Sequence, residues 1–247
     1  MPSQQRVLLV GGTGRTGLRV LEQLLGRGVQ VRVIVRSRSR LPERLAGEPA
    51  LTVVEADLLS LGDEELLTHV RGCDAVISCL GHTINLKGIF GPPRHLVTRA
   101  TRRLCEAIRS SQPDRPVRFV LMSSVSVNHP EVLEARRGRF EKLALWALRG
   151  VLPPADDNQR AADYLYRTIG RHDPHIEWVA VRPDTLLEGE ISQYALHEAL
   201  VSSLFKPDGT NMANVACFMC DLAASQETWS AWTGKLPVIV NVSAPVH

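Results

Sequence analysis

The chain has 247 residues, of which 44% are hydrophobic and 22% charged, and its formal net charge is +3. That balance is the one of an ordinary globular protein, long enough for one α/β domain. It gives no basis for a nucleic-acid surface, and no apolar run reaches the roughly 18 residues that cross a bilayer. The first element expected is a buried strand, Val7-Leu8-Leu9-Val10. This run is too short for a signal peptide and meets glycines at once, so a cytoplasmic protein is expected. A helix follows over 18–25, with apolar residues at 18, 21, 24 and 25, then a β-branched strand over 29–35 and a short strand over 52–55. A helix over 63–70, a strand over 75–79, a helix over 96–110 and a strand over 118–122 come next. The series ends with a helix over 158–169, a strand over 177–181, a helix over 215–224 and a strand over 238–242. Gly and Pro mark residues 88–94 and 150–157 as loops.

Short apolar strands alternating with helices imply a parallel sheet covered on both faces. The first turn narrows the fold further. Gly11-Gly12-Thr13-Gly14-Arg15-Thr16-Gly17 follows the first strand and opens the first helix. Glycines there permit a tight turn and close approach to a pyrophosphate, and the helix start offers free N–H groups to phosphates. The expectation is therefore an α/β chain of the Rossmann type, a doubly wound parallel sheet with a small C-terminal substrate-side extension. Residues 1–247 are read as one domain, with the cofactor part up to about 150 and the substrate-side part from about 151.

The second strand ends Val33-Ile34-Val35-Arg36-Ser37-Arg38. An NAD site usually places an acid here for the ribose 2′-hydroxyl, and this chain has none. Arg36 offers a guanidinium fork that suits a 2′-phosphate, and Arg15 and Arg38 are expected to add to it. The cofactor expected is NADP(H). After the third strand, Asp57 is placed to bond an adenine amino group and Leu58 to cover the ring, although an acid here is also an ordinary cap. Cys79, Leu80 and Gly81 end the fourth strand, and Ser123 and Ser124 end the fifth. In open parallel sheets ligands collect at these carboxyl ends.

These motifs resemble those of the atypical short-chain dehydrogenase/reductase group, in particular its NmrA-like and flavin reductase/biliverdin reductase B-like members. GGTGRTG matches the group's GxxGxxG form, VIVRSRSRLP its second-strand segment and LMSSVSV its serine strand. DDNQRAADYL and IEWVAVRP are similar to its following helix and strand, so the likeness runs in pieces from Arg6 to Pro183. The resemblance implies that Ser124 is the catalytic serine and that the backbone of Pro183 lies against the nicotinamide. It also implies a small-molecule substrate. A monomer or a homodimer is expected, with no nucleic acid, membrane or metal as partner.

The chain departs from the usual pattern at the proton donor. No Tyr-x-x-x-Lys is present: Tyr164 is followed four residues on by Thr168 and Tyr166 by Gly170. Where the biliverdin reductase B-like pattern carries histidines, Asn158 and Ala162 stand. The remaining expectation is hydride transfer to a flavin, a quinone-like compound or another planar acceptor, with water able to supply the proton. Ser124 would orient substrate or nicotinamide, and Asp157 or Arg160 would line the same cleft, with one of the Asp156–Asp157 pair capping the helix that follows. His82 and Asn85 are the polar members of an 81–94 loop beside the pocket. An NADP(H)-binding sensor without turnover, or an isomerase of a specialised metabolite, are the alternative readings.

Other signals are read as structural. The five cysteines, Cys73, Cys79, Cys105, Cys217 and Cys220, are odd in number and set in apolar surroundings, as reduced buried thiols are. Cys217-Phe-Met-Cys220 lacks the second ligand pair of a zinc site. The basic stretch Arg136 to Lys142 lacks the aromatic residues of a nucleic-acid surface.

Overall fold

The computed structural model describes residues 4–81, 95–129, 153–202 and 208–242. In chain order the first half runs β1 (Arg6–Val10), α1 (Arg15–Gly26), β2 (Gln30–Val35), β3 (Leu51–Glu55), α2 (Asp63–Val70), β4 (Ala75–Ser78), α3 (Leu96–Ser110) and β5 (Val117–Met122). The second half adds α4 (Pro153–Tyr164), β6 (Ile176–Pro183), β7 (Thr185–Leu187), β8 (Tyr194–His197) and β9 (Gly209–Asn211). It ends with α5 (Met212–Ala224), α6 (Gln226–Trp232) and β10 (Val238–Asn241).

Eight strands form one sheet in the order β3-β2-β1-β4-β5-β6-β10-β8. All pairs from β3 to β10 are parallel, and β8 runs antiparallel to β10 at the edge. This is the doubly wound α/β architecture expected of the Rossmann type, with an antiparallel edge strand that the sequence pattern did not show. β6 and β10 extend the same sheet as the strands before residue 150. A separate parallel pair joins β7 to β9.

Strand alternation sorts the core into two layers. Val7, Leu9, Val33, Ile77, Val120 and Val179 face α1, α5 and α6; Leu8, Val10, Val76, Phe119 and Leu121 face α2, α3 and α4. α1 shows why such a helix forms. Val20, Leu21 and Leu24 make one buried stripe, while Arg15, Gly26 and Arg27 stay exposed.

Several boundaries differ from the sequence reading. Residues 153–157 are helical, not loop, because Pro153 and Pro154 sit in the first turn of α4, where proline costs no hydrogen bond. α4 then passes into a π-helical turn at Leu165–Ile169, closed by a bond from the Gly170 N–H to the Leu165 carbonyl. α6 and the short strands β7, β8 and β9 carried no periodicity long enough to read.

Two backbone arrangements hold the carboxyl edge of the sheet. Gly11 has φ +81°, and a Cβ there would lie 2.6 Å from the Cys79 carbonyl carbon and oxygen. A Cβ on Gly17 would overlap the Gly11 carbonyl oxygen and meet the Cys79 Cβ at 3.1 Å. The turn is therefore clamped between the start of α1 and the end of β4.

On the opposite face Asp157 is fully buried. Its carboxylate accepts the backbone N–H groups of Val97 (2.8 Å) and Thr98 (2.9 Å) and the Thr98 hydroxyl (2.6 Å). These are first-turn donors of α3, so Asp157 caps a different helix from the one it belongs to.

Two stability predictions follow from these contacts. Gly17→Ala is expected to lower unfolding free energy by about 3 kcal/mol through overpacking, against about 1 kcal/mol or less for Gly14→Ala at the exposed cap. Urea unfolding compares them, and equal losses would contradict the clamp. Asp157→Ala is expected to cost about 3 kcal/mol, because it strands buried donors that a charged acceptor now satisfies. An unchanged urea midpoint for that variant would remove the capping role.

Candidate functional site

The register aligns the strand ends along one edge. Val10 pairs with Ile34 and Ser78, Ser78 with Leu121, and Met122 with Val181. Gly11, Arg36, Cys79, Ser123 and Pro183 therefore emerge at the same side. The strand order reverses between β1 and β4, the crevice where open α/β sheets take their ligands.

The glycine turn lies in that crevice. Gly14 is the N-cap of α1, exposed and without a side chain over the helix start. The Gly14 N–H bonds the Gly11 carbonyl at 3.0 Å, and the Leu18 N–H bonds the Gly14 carbonyl at 2.8 Å. The N–H groups of Arg15, Thr16 and Gly17 precede the first intrahelical donor, and no acidic residue stands in the first turn. Thr13 is half-buried beside them, and Thr16 is buried. This is the electrostatic environment an anion needs.

The arginines expected together are separated. Arg36 is exposed at the end of β2 and makes no hydrogen bond or ion pair with the described residues. Arg38 donates to the Val53 carbonyl at 3.1 Å, at the edge where β3 lies. Arg15 points elsewhere: its Nε (3.1 Å) and Nη2 (2.7 Å) both bond Glu188, which follows β7. Arg15 therefore does not stand beside Arg36 here: a carboxylate from the C-terminal part holds it.

Asp57 accepts the Leu59 N–H at 2.8 Å, and its carbonyl accepts from Ser60 and Leu61. It is exposed while doing so. The Leu58 side chain lies in the core with 7% of its surface exposed, so it is packing rather than a ring cover. Cys79 is buried with burial pushing its thiol well up, Leu80 is half-buried, and Gly81 is exposed.

At the end of β5 the Ser123 N–H bonds the Val181 carbonyl (2.7 Å) and the Val125 N–H bonds the Pro183 carbonyl (3.1 Å). The serine loop is thus stitched to the end of β6. Ser124 is half-buried, with its hydroxyl 2.5 Å from that of Ser126. The Ser123 hydroxyl is buried and has no hydrogen-bond partner among the described residues, as is the Ser78 hydroxyl at the end of β4.

Two expected catalytic groups are engaged by other partners. Asp157 is sealed under α3 rather than lining a cleft, because the first-turn donors of α3 bind it. Arg160 is exposed and donates to Asp156 at 2.6 Å, one turn back on α4. It borders a surface groove of about 390 Å³ between α3 and α4, shared with Arg99, Arg102, Tyr164 and Arg167. Burial raises the Tyr164 hydroxyl to about 12, so it is no ready proton donor. His82 and Asn85, and the basic stretch 136–142, lie outside the described residues.

Three residues that the sequence did not single out organise the site. Arg182 is fully buried, yet it donates to the carbonyls of Leu236 (2.8 Å), Val127 (3.2 Å) and Glu198 (3.0 Å), joining three segments behind the serine loop. Gln159 of α4 accepts the Asn128 N–H at 2.8 Å. Asp184 accepts the N–H groups of Thr185 (2.7 Å) and Asp208 (3.2 Å) and the Ser202 hydroxyl, fixing the chain just after Pro183. Only contacts distant in sequence, from 24 up to 55 positions for most of them, reveal these roles.

The cysteines are all free, with four buried and Cys217 half-exposed. Among the described residues no group of three or more His, Cys, Asp or Glu is arranged for a metal, and no helix is long and apolar enough to cross a membrane.

The residues present fit a dinucleotide. A bare helix start meets the pyrophosphate requirement, and the guanidinium at the end of β2 and the Ser123 hydroxyl at the end of β5 have no partner among the described residues. Comparison with known proteins agrees. A family model described as NAD(P)H-binding matches residues 11–226. An uncharacterized chloroplastic protein of Arabidopsis thaliana is 30% identical over 214 residues, covering 83% of this chain and 74% of that one. An anaerobillin reductase of Escherichia coli superposes with TM-score 0.67 at 16% identity, over 98% of this chain and 100% of that chain. A Streptococcus pneumoniae protein assigned as an NADH-flavin reductase superposes with TM-score 0.63 at 17% identity, over 96% of this chain and 100% of its own. At such identities the two structures share the fold with this chain. Its glycine turn, its sheet and the extent of the family match agree: the chain belongs to the NAD(P)H-binding family.

Proposed function

We propose that the protein is an NADPH-dependent reductase that passes hydride to a flavin, a quinone-like compound or another planar acceptor. The observation that carries the cofactor half is Arg36, exposed, without a partner among the described residues, and standing where an NAD site carries an acid. A guanidinium there donates to a 2′-phosphate in a bidentate pair, while an acid would repel it. Gly11, Thr13, Gly14, Thr16 and Gly17 would hold the pyrophosphate, and Arg36 the 2′-phosphate, with Arg38 bordering it. Asp57, the Leu58 backbone and the Cys79–Gly81 segment would border the adenine side of the crevice. The nicotinamide nucleotide supplies the hydride when bound.

The protein's own share is orientation. Ser124 stands half-buried at the end of β5 beside the buried Ser123 hydroxyl, and the Pro183 backbone is fixed beside them by Asp184 and Arg182. Ser124 is the residue proposed to orient substrate or nicotinamide. With Asp157 buried and Arg160 paired with Asp156, neither is free as an acid, and water is the proposed proton source. That favours an acceptor needing no strong protein acid, such as a flavin. A nucleotide-binding protein without turnover is the second reading, favoured by the same engagement of two expected catalytic groups.

Two measurements test this. Arg36→Asp is expected to weaken NADPH binding about 10- to 100-fold, the loss of one charge-assisted bidentate pair, and to leave NADH binding far less changed. Wild-type preference for NADH in the same titration would contradict the cofactor assignment. Absorbance of reduced nicotinamide, followed with a panel of flavins and quinones, is expected to fall with at least one acceptor. Tight NADPH binding with no consumption across the panel would leave the non-catalytic reading.

A further inference from the structure

Arg15 occupies the first helical position of α1, next to the bare N-cap at Gly14. Its guanidinium presents the Nε–Nη2 edge to Glu188 Oε1, at 3.1 and 2.7 Å. The other carboxylate oxygen accepts from Arg19, one turn along the helix, and Arg19 also donates to the Arg15 carbonyl at 2.8 Å. Both oxygens of Glu188 are therefore committed to the helix that opens the dinucleotide site. The bonds from Arg15 hold its carboxyl below the usual carboxylate range.

The segment that delivers Glu188 is itself ordered. It leaves β6 at Pro183, is fixed at Asp184, and runs as β7 in register with β9, Leu187 opposite Asn211. A Cβ on Gly189 would lie 2.7 Å from the Asn211 amide, and the Asn211 side chain donates to the Glu190 carbonyl at 3.0 Å. Glu188 thus spans from the wall beside Pro183 to the first turn of α1.

The Nε–Nη2 edge of Arg15 that Glu188 holds is one that suits a phosphate, since a guanidinium edge pairs with carboxylate and phosphate alike. One guanidinium edge cannot serve both. We propose that Glu188 is an internal competitor for the cofactor's phosphate at Arg15, displaced when the nucleotide binds, so that cofactor occupancy frees the segment after β6. This rests on the dinucleotide reading above and goes beyond it. It gives that site a charge-based brake and links it to the substrate side. The pair is well exposed, at 62% for Arg15 and 60% for Glu188, so the brake is weak and sensitive to salt.

The test is a fluorescence titration of NADPH into wild type, Glu188→Gln, Arg15→Gln and the double variant, at low and moderate salt. Glu188→Gln keeps the side chain's shape and removes its charge. It is expected to bind NADPH about three- to five-fold more tightly at low salt, with the gain shrinking as salt rises. In the Arg15→Gln background most of that gain should vanish. Unchanged or weaker binding by Glu188→Gln would show a structural tie and overturn the competition. A gain that persists in full without Arg15 would reduce it to general repulsion and overturn it equally. Absence of any NADPH or NADH binding by wild type would instead overturn the dinucleotide reading itself, so the two failures are distinguishable.

Discussion

The whole site depends on one contact without side chains. Gly17 lies so close to the Gly11 carbonyl that no Cβ fits between them, and Gly11 lies against the carbonyl group of Cys79. Helix, turn and strand meet there as backbone on backbone. This closeness brings the start of α1 down onto the crevice where the strand order reverses. It is what lets free helix N–H groups, rather than side chains, face an anion. The Arg36 and serine positions take their meaning from it, because the same edge carries all the strand ends.

The other face of the sheet is fixed by buried polar groups that do no chemistry. Asp157 joins α4 to α3 by satisfying donors that helix geometry leaves open. Arg182 joins the segments of Val127, Glu198 and Leu236 through their carbonyls. Both are charged residues in dry surroundings, where hydrogen bonds from or to a charge count for most. Their effect on function is indirect: they hold the serine loop and the segment after Pro183 in register across the crevice.

How far the sequence led differs between these parts. The strands β1, β2, β4 and β5 and the glycine turn were legible because each signal is local: an apolar run, a β-branched run, or glycines between a strand and a helix. Arg36 was legible for the same reason, being the residue that ends a readable strand. Asp157 and Arg160 were read as lining the cleft because nothing local says which way their helix is turned or that Asp157 caps another helix. The capping of α3 by Asp157 joins residues 60 positions apart. The pairing of Arg15 with Glu188 spans 173 positions, and no motif announces it. The short strands β7, β8 and β9, of three or four residues each, are set by tertiary pairing rather than by periodicity.

A structure determined with NADPH bound tests the central claim most directly. The pyrophosphate is expected against the N–H groups that open α1, and the 2′-phosphate against the guanidinium of Arg36. A nucleotide whose 2′-phosphate lies away from residue 36, or whose pyrophosphate does not meet the start of α1, would contradict it.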